Sequence, residues 1–271
     1  MRTISENKVH TIIGAVIVAS LLICAVPLII SEDSDAATIT IDSVTYTTSG
    51  STASATQFAP GTTQVTILPE VEIDDITYTV VAVRQSTPYC TTLIEVDLPV
   101  TLTSIGSSAF RGCTGLTEII IPIGVTSIDN YAFYNCSGLT EIIIPGGVTS
   151  IGTSAFYGCR GLTEIIIPGG VTLIGNYAFQ GCTGLTEIII PISVKAIGDN
   201  AFSGCTGLTE FVIPSSVVSV SYSAFYVSSL VYYLDGFTAF TGTKPGGMVV
   251  LTYTLLLFTS ELSEGSLSEV I

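Results

Sequence analysis

Hydrophobic and polar positions repeat every 23 residues through the central part of the chain. Three residue types carry the period independently. The phenylalanines at this spacing are Phe110, Phe133, Phe156, Phe179, Phe202 and Phe225. The prolines are Pro99, Pro122, Pro145, Pro168, Pro191 and Pro214. The cysteines are Cys90, Cys113, Cys136, Cys159, Cys182 and Cys205. Such a period predicts a solenoid, in which each unit buries its apolar face against the next.

Each unit contains one short strand with a defined inner and outer side. Leu116, Ile119 and Ile121 have the L-x-x-L-x-L spacing of a leucine-rich repeat. Because side chains alternate across a strand, Ile119 and Ile121 are predicted to point inward, and Glu118 and Ile120 outward. The proline that follows ends the strand, where the missing N–H matters least.

The rest of the unit returns the chain to the core. Val125 and Ile128 are predicted to point inward, and Ala132 and Phe133 to fill the core from the opposite side. The residues between them, such as Asp129–Asn130, are typical of the start of a short helical turn.

In five of the six units the second residue after the phenylalanine is glycine or asparagine. Asn135 occupies this position in one unit, and the other four have Gly112, Gly158, Gly181 and Gly204. Glycine and asparagine are the residues that accept a left-handed backbone. A positive φ is therefore predicted at this position.

These strings resemble the BspA-like leucine-rich repeats of surface proteins. The resemblance is carried by CTGLTEIIIP (113–122), VTSIG (148–152) and SAF-x-GC (154–159), and it extends from about Cys90 to Tyr226. It implies a β-dominated α/β fold, a right-handed leucine-rich-repeat solenoid with a parallel strand ladder and β-rich end caps. It also implies binding or adhesion outside the cell, without identifying a ligand.

The segments around the repeats predict four regions. Residues 1–36 carry Arg2 and Lys8 followed by an apolar run from Thr11 to Ile30, which is typical of a signal peptide cleaved after Ala36 or of a retained membrane anchor. Either alternative places the rest of the chain outside the cytoplasm. Residues 37–89 alternate like strands and are predicted to form an N-terminal β-rich cap, 90–227 the solenoid, and 228–271 a C-terminal cap with a loose tail.

Composition limits the function classes. The formal net charge is −15, from 22 acidic residues against 7 lysines and arginines. Nucleic acid is a poor partner for such a surface, because phosphate binding needs clustered cations. The only histidine is His10, so the predicted exported part has no Ser-His or Cys-His pair. We therefore predict no catalytic residue, no metal ligand and no cofactor, and consider an enzyme only as a remote alternative.

The cysteine column has two interpretations. Exported proteins use disulfides, and zinc binds four converging cysteines. A ladder of parallel inward side chains supplies neither the disulfide geometry nor the convergence. Buried free thiols that act as small apolar groups are the favoured interpretation.

Two outward-facing rows are the candidate binding residues. The acidic row is Glu118, Glu141, Glu164, Glu187 and Glu210, preceded by Glu95. The apolar row is Ile120, Ile143, Ile166, Ile189 and Val212, preceded by Asp97. The acidic row is either a solvated face or a site that attracts Ca²⁺ or a cationic partner. The apolar row is either a contact surface or packs under a loop or cap.

The sequence thus predicts an exported cell-surface or secreted protein that binds an extracellular protein or glycan through its strand face. The membrane would be contacted only through the N-terminal segment. The alternative is an architectural protein of a surface layer, whose repeats pack against neighbours without a specific ligand.

Overall fold

The computed structural model describes residues 36–84, 90–208, 210–226, 230–234, 240–241 and 249–253, and these form a strand-dominated solenoid. Within them the single helix is a 3₁₀ helix, η1 (Tyr222–Phe225). The fold class expected from the repeat is confirmed, with a parallel ladder and a β-rich N-terminal part.

The N-terminal part begins with three antiparallel strands and ends in parallel pairing. The strands are β1 (Thr38–Ile41), β2 (Val44–Ser49), β3 (Thr52–Phe58), β4 (Gln64–Thr66), β5 (Glu70–Ile73) and β6 (Ile76–Val83). β1, β2 and β3 pair antiparallel in that order, and β5 pairs antiparallel with β6. β3 pairs with β6 in parallel, so the change to the solenoid's parallel arrangement occurs inside this region.

The first line of solenoid strands contains the repeated Glu-Ile-Ile segment in four of its strands, those that begin at Glu118, Glu141, Glu164 and Glu187. Its strands are β7 (Glu95–Asp97), β9 (Glu118–Ile120), β11 (Glu141–Ile143), β13 (Glu164–Ile166), β15 (Glu187–Ile189), β17 (Glu210–Ile213), β19 (Leu230–Leu234) and β21 (Val249–Tyr253). β4 pairs in parallel with β7, and β19 and β21 continue in parallel from β17. We call the outward side of β7, β9, β11, β13, β15 and β17 the strand face.

A second parallel ladder runs along another side of the solenoid. It contains β8 (Ser104–Ile105), β10 (Ser127–Ile128), β12 (Ser150–Ile151), β14 (Leu173–Ile174), β16 (Ala196–Ile197), β18 (Ser219–Ser221) and β20 (Phe240–Thr241). β6 joins this ladder at β8, so one sheet of twelve strands connects the N-terminal part to the repeats.

The phenylalanine column forms the centre of the core. Phe133, Phe156 and Phe179 are fully buried, and successive rings stack with centroids 5.3 Å apart. The 23-residue step therefore places one ring directly over the next. Phe58 of β3 extends the column beyond Phe110, with a centroid distance of 6.1 Å.

The Ala-Phe segment is a hydrogen-bonded turn in the units from Phe110 to Phe202, whereas the equivalent segment of the last unit is the 3₁₀ helix η1, so the expected helical turn forms there but not at Asp129–Asn130. Ala132 N donates within the turn to Asp129 O, whereas Phe133 N donates to Ala155 O of the next turn at 2.7 Å. Tyr131, which directly precedes Ala132, has a φ of 60°. A helix cannot continue through a left-handed residue, and the bonds to the next turn replace those within a helix.

The positive φ predicted two residues after the phenylalanine is confirmed. Asn135 has a φ of 57°, and the glycines there, Gly112, Gly158, Gly181 and Gly204, have φ between 70° and 73°. This position closes the turn and directs the cysteine that follows into the core.

Several predictions fall outside the described residues. These are the leader apart from Ala36, residues 85–89 of the N-terminal cap, residues 228–229, 235–239 and 242–248 of the C-terminal cap, and the tail from 254 to 271. In the part of the chain that the structure describes, no helix has the length and apolar character to cross a membrane.

Candidate binding surface

The strand face presents the two predicted rows side by side. Ile119 and Ile121 are buried, whereas Ile120 between them is 74% exposed. Ile143 and Ile166 are each 69% exposed and lie opposite one another in parallel register. The remaining exposed members of this apolar row are Ile189 and Val212. The predicted alternation is therefore confirmed, and the described residues do not cover the row.

The acidic row lies two residues before the apolar row in each strand, about 7 Å away along the strand. Glu118 pairs in register with Glu141, and Glu164 with Glu187. These four side chains are exposed. Glu210 occupies the next register position, but its side chain is outside the described part of the structure. The face therefore combines a line of carboxylates with a line of branched apolar side chains.

Polar residues of the N-terminal part form hydrogen bonds with Glu95 and Asp97, the residues that precede the two rows. Gln64 of β4 donates from Nε2 to the Glu95 carboxylate at 2.6 Å. Thr66 donates from Oγ1 to the Asp97 carboxylate at 3.2 Å. The apolar row thus begins only at Ile120, one turn into the solenoid.

A row of threonines lies beside the glutamates and bonds one turn to the next. The Thr140 hydroxyl donates to Thr117 O at 3.2 Å, and the Thr186 hydroxyl donates to Thr163 O at 3.3 Å. The sequence gives no sign of this bond, because threonine is also a common residue on any exposed strand surface.

The cysteine column lies in the core, away from the strand face. Cys136, Cys159 and Cys182 are free thiols, and each donates from Sγ to a backbone carbonyl of the preceding turn. Burial raises the pKa of Cys159 to about 12 and raises that of Cys136 well above its ordinary value. For Cys182, a hydrogen bond with Cys205 and then burial raise the pKa. Such protonated thiols are structural rather than nucleophilic.

Candidate metal sites were sought among the His, Cys, Asp and Glu side chains that the structure describes. No group of three or more of them comes together there. The glutamates of the acidic row run in a line along the ladder and do not converge on one point.

Two further surface features were missed from the sequence. Tyr131 and Tyr177 lie on the turn side of the solenoid, 38% and 39% exposed. Near them, a groove of about 360 Å³ runs along the second ladder, lined by Asp129, Ser150 and Thr153 among others. Because the tyrosines occur in only some units, the repeat pattern does not single them out.

Comparison with known families gives a match over more than half of the chain. The model of the BspA type leucine rich repeat region matches six copies, in residues 82–183 and 172–234. These ranges contain the strand-face residues described above. No match was found among curated protein sequences.

Solved structures of leucine-rich-repeat proteins resemble the chain. A leucine-rich repeat protein from Bacteroides ovatus is 29% identical, with a TM-score of 0.61 over 79% of this chain and 61% of that protein. A leucine rich cell surface protein from Faecalibacterium prausnitzii is 25% identical, with a TM-score of 0.52 over 83% and 78%. The T. pallidum leucine-rich repeat protein is also 25% identical, with a TM-score of 0.50 over 63% and 90%. The chain thus spans about three fifths of the length of the Bacteroides protein.

Proposed function

The chain belongs to the BspA type leucine-rich repeat family, and on this basis we propose that it is a scaffold that binds a partner protein through its strand face. Repeats of this family and fold are typically non-enzymatic. The proposed scaffold works by presenting side chains at a fixed spacing on a stack of rigid turns.

One observation carries the proposal: four consecutive turns expose an isoleucine at the same register position. Ile120 is 74% exposed, and Ile143, Ile166 and Ile189 are 69% exposed. Leaving a large apolar side chain in water forgoes about 1.5–3 kcal/mol that burial would supply. A continuous exposed row of this kind is typical of a contact surface.

The acidic row defines the chemistry of the partner. Glu118, Glu141, Glu164 and Glu187 present carboxylates beside the isoleucines, and the Glu-Ile-Ile strands contain no lysine or arginine. Apolar contact would exclude water, while the carboxylates would orient basic groups of the partner. We therefore expect a partner with lysines or arginines alongside an apolar ridge, bound more weakly as ionic strength rises.

The proposed location is outside the cytoplasm, either secreted or at the cell surface. Its support is the polar-apolar order of residues 1–36 and the similarity to the Faecalibacterium prausnitzii cell surface protein. Surface labelling followed by cell fractionation tests this part, because it measures exposure and anchoring together.

Site-specific photo-cross-linking tests the proposed surface. A photoreactive phenylalanine derivative replaces Ile143, and cells of the source organism are irradiated. We expect one discrete cross-linked product whose partner, identified by mass spectrometry, has a basic binding face. A matched control carries the same derivative at Thr149, which is exposed near the second ladder.

The two positions distinguish the outcomes. Cross-linking from position 143 alone supports the strand face as the binding surface. Equal cross-linking from position 149, or no product from position 143, contradicts the proposal.

A further inference from the structure

Gly146 and Gly169 occupy the corner of the solenoid that follows the strand face, directly after the proline that ends each strand. Neither glycine has a positive φ, and a Cβ at either position would have nothing within 4 Å. The fold therefore does not require glycine here. The residues at this corner position in the other four turns are Val100, Ile123, Ile192 and Ser215.

The corners stack turn upon turn. A Cβ at Gly147 would lie 3.8 Å from Ile123 O, and a Cβ at Gly170 would lie 2.8 Å from Gly146 O. Gly146 therefore follows Ile123 along the solenoid, and the corner of Ile192 comes two turns after that of Gly146. Because neighbouring parallel strands are about 4.8 Å apart, Ile123 and Ile192 lie about 15 Å apart, with two bare turns between them.

Exposed isoleucines surround the two glycines on three sides. Ile123 is 87% exposed and Ile192 is 81% exposed, one at each end of the bare turns. Ile143 and Ile166, three residues before the glycines on the same turns, form the third side and are each 69% exposed. We call this recess, with its floor of glycine backbone, the glycine socket.

The shape of the socket favours a large, flat apolar group. The walls are branched apolar side chains, and the floor is bare peptide over two turns. Binding energy at protein interfaces is concentrated in a few anchor side chains that fill recesses of this kind, and aromatic residues are enriched among them. One aromatic ring also buries more surface, about 150–250 Å², than the small side chains that the floor lacks.

The charges beside the socket are all negative. The segments 140–148 and 163–171 have the same sequence, TEIIIPGGV, in which the glutamate is the one ionisable residue. These residues, Glu141 and Glu164, are exposed on the strand face two residues before Ile143 and Ile166. Carboxylates at this place favour basic groups next to whatever fills the socket.

We propose that the glycine socket receives an aromatic side chain of the basic partner protein and is the anchor point of the strand-face contact. The ring lies on the backbone of Gly146 and Gly169, between Ile123 and Ile192, and a lysine or arginine a few residues away from it in the partner reaches the acidic row. This inference rests on the strand-face function proposed above and names the group of the partner that is bound.

Fluorescence titration of the full chain with a defined peptide tests the socket. The probe is the capped peptide Lys-Gly-Trp-Gly-Lys, and since the chain has no tryptophan, the emission reports the probe alone. We expect a saturable blue shift, because the indole leaves water for an apolar recess. The peptide with glutamates in place of the lysines should bind at least 10-fold more weakly. The peptide with alanine in place of tryptophan should not displace the probe.

Filling the socket separates its shape from mere apolar character. Gly146→Ile with Gly169→Ile adds exposed apolar surface, yet it should weaken binding of the probe at least 10-fold, because the side chains occupy the recess. The variant should keep its melting temperature, since isoleucine stands at this position in neighbouring turns. Ser215→Ile makes a matched change one turn beyond the socket and should bind normally. Gly146→Ala with Gly169→Ala fills less space and should weaken binding to a smaller extent, which provides a second test if the isoleucine variant does not fold.

Unchanged or tighter binding of the probe by the folded glycine variants would overturn the proposal. Absence of saturable binding by the unmodified chain, or equal binding of the glutamate peptide, would overturn it as well.

The same variants, measured against the cross-linked partner, distinguish this inference from the proposed function. If Ile143→Lys with Ile166→Lys loses the partner and the glycine-to-isoleucine variant keeps it, the socket is wrong and the strand face stands. If both variants keep the partner, both proposals are wrong.

Discussion

Phe58 stacks on Phe110 with the ring centroids 6.1 Å apart and the planes 19° from parallel. Phe58 belongs to β3 of the N-terminal part, outside the 23-residue register, yet its ring continues the column formed by the repeats. The open end of a solenoid exposes apolar side chains unless another element covers it. Phe58 closes that end by providing the next ring of the stack.

Phe58→Ala should destabilise the N-terminal end without unfolding the whole chain. Contacts in a solenoid are mostly between neighbouring turns, so the loss should fall on the turn that contains Phe110. We expect hydrogen–deuterium exchange to increase at Phe110 and Cys113 and to stay unchanged at Phe179. Uniformly faster exchange along the solenoid would contradict a local capping role.

Phe156→Ala should lower the free energy of unfolding by about 3–5 kcal/mol, because the ring is fully buried between Phe133 and Phe179. Urea denaturation measures the change. Thr149→Ala, at an exposed position, should stay within about 0.5 kcal/mol of the unmodified chain. A loss below about 1 kcal/mol for Phe156→Ala would be inconsistent with the stacked core.

The buried thiols make stability fall at high pH. Burial raises the pKa of Cys159 to about 12, whereas an unfolded cysteine ionises at about 8.5. At pH values between these two pKa values the unfolded chain has lost the proton that the folded chain retains, so stability decreases as pH rises. The stabilisation is complete below the unfolded pKa and disappears as pH rises through the folded pKa.

Cys159→Ala isolates this effect. Between about pH 9 and pH 12 the free energy of unfolding of the unmodified chain should fall by up to about 1.4 kcal/mol more per pH unit than that of the variant.

Five thiols, Cys113 to Cys205, should react slowly with a thiol reagent in the native protein and fully after denaturation without reductant. Equal pH slopes for the two proteins, or disulfides among these cysteines in the native protein, would contradict the buried column.

Asn135 should be replaceable by glycine but not by alanine. Its φ of 57° is left-handed, a conformation that costs a residue with an ordinary Cβ about 1–2 kcal/mol. Asn135→Ala should therefore lower the free energy of unfolding by about that amount in urea denaturation. Asn135→Gly, which matches Gly158, should change it by less than about 0.5 kcal/mol. Similar losses for both variants would show that the side chain, rather than the backbone, matters here.

The sequence was sufficient to predict the features that repeat. Alternation in Glu118–Ile120 predicted the burial of Ile119 and the exposure of Ile120, and the Asn135 position predicted a positive φ. These succeed because every turn imposes the same physical requirement, and six copies make it visible in one chain.

Features that depend on contacts between turns were not predictable in the same way. Phe58 has no periodic partner, so its place in the stack follows only from the folded N-terminal part. Cys159 was expected to act as a small apolar group, but its thiol also donates to Phe133 O, which requires knowing the neighbouring turn. The helical turn expected at Asp129–Asn130 does not form there, because bonds to the next turn replace it, although the last unit has the 3₁₀ helix η1 at the equivalent position.

The affinity of the double variant Ile143→Lys with Ile166→Lys for the cross-linked partner tests the central claim most directly. Both side chains are exposed, so the free energy of unfolding should change by no more than about 1 kcal/mol. Thr149→Lys with Thr172→Lys adds the same charge near the second ladder, where Lys195 already occupies the equivalent position. We predict that the isoleucine variant folds and loses partner binding at least 100-fold, while the threonine variant binds normally. If the isoleucine variant folds and still binds with the original affinity, the strand face is not the binding surface.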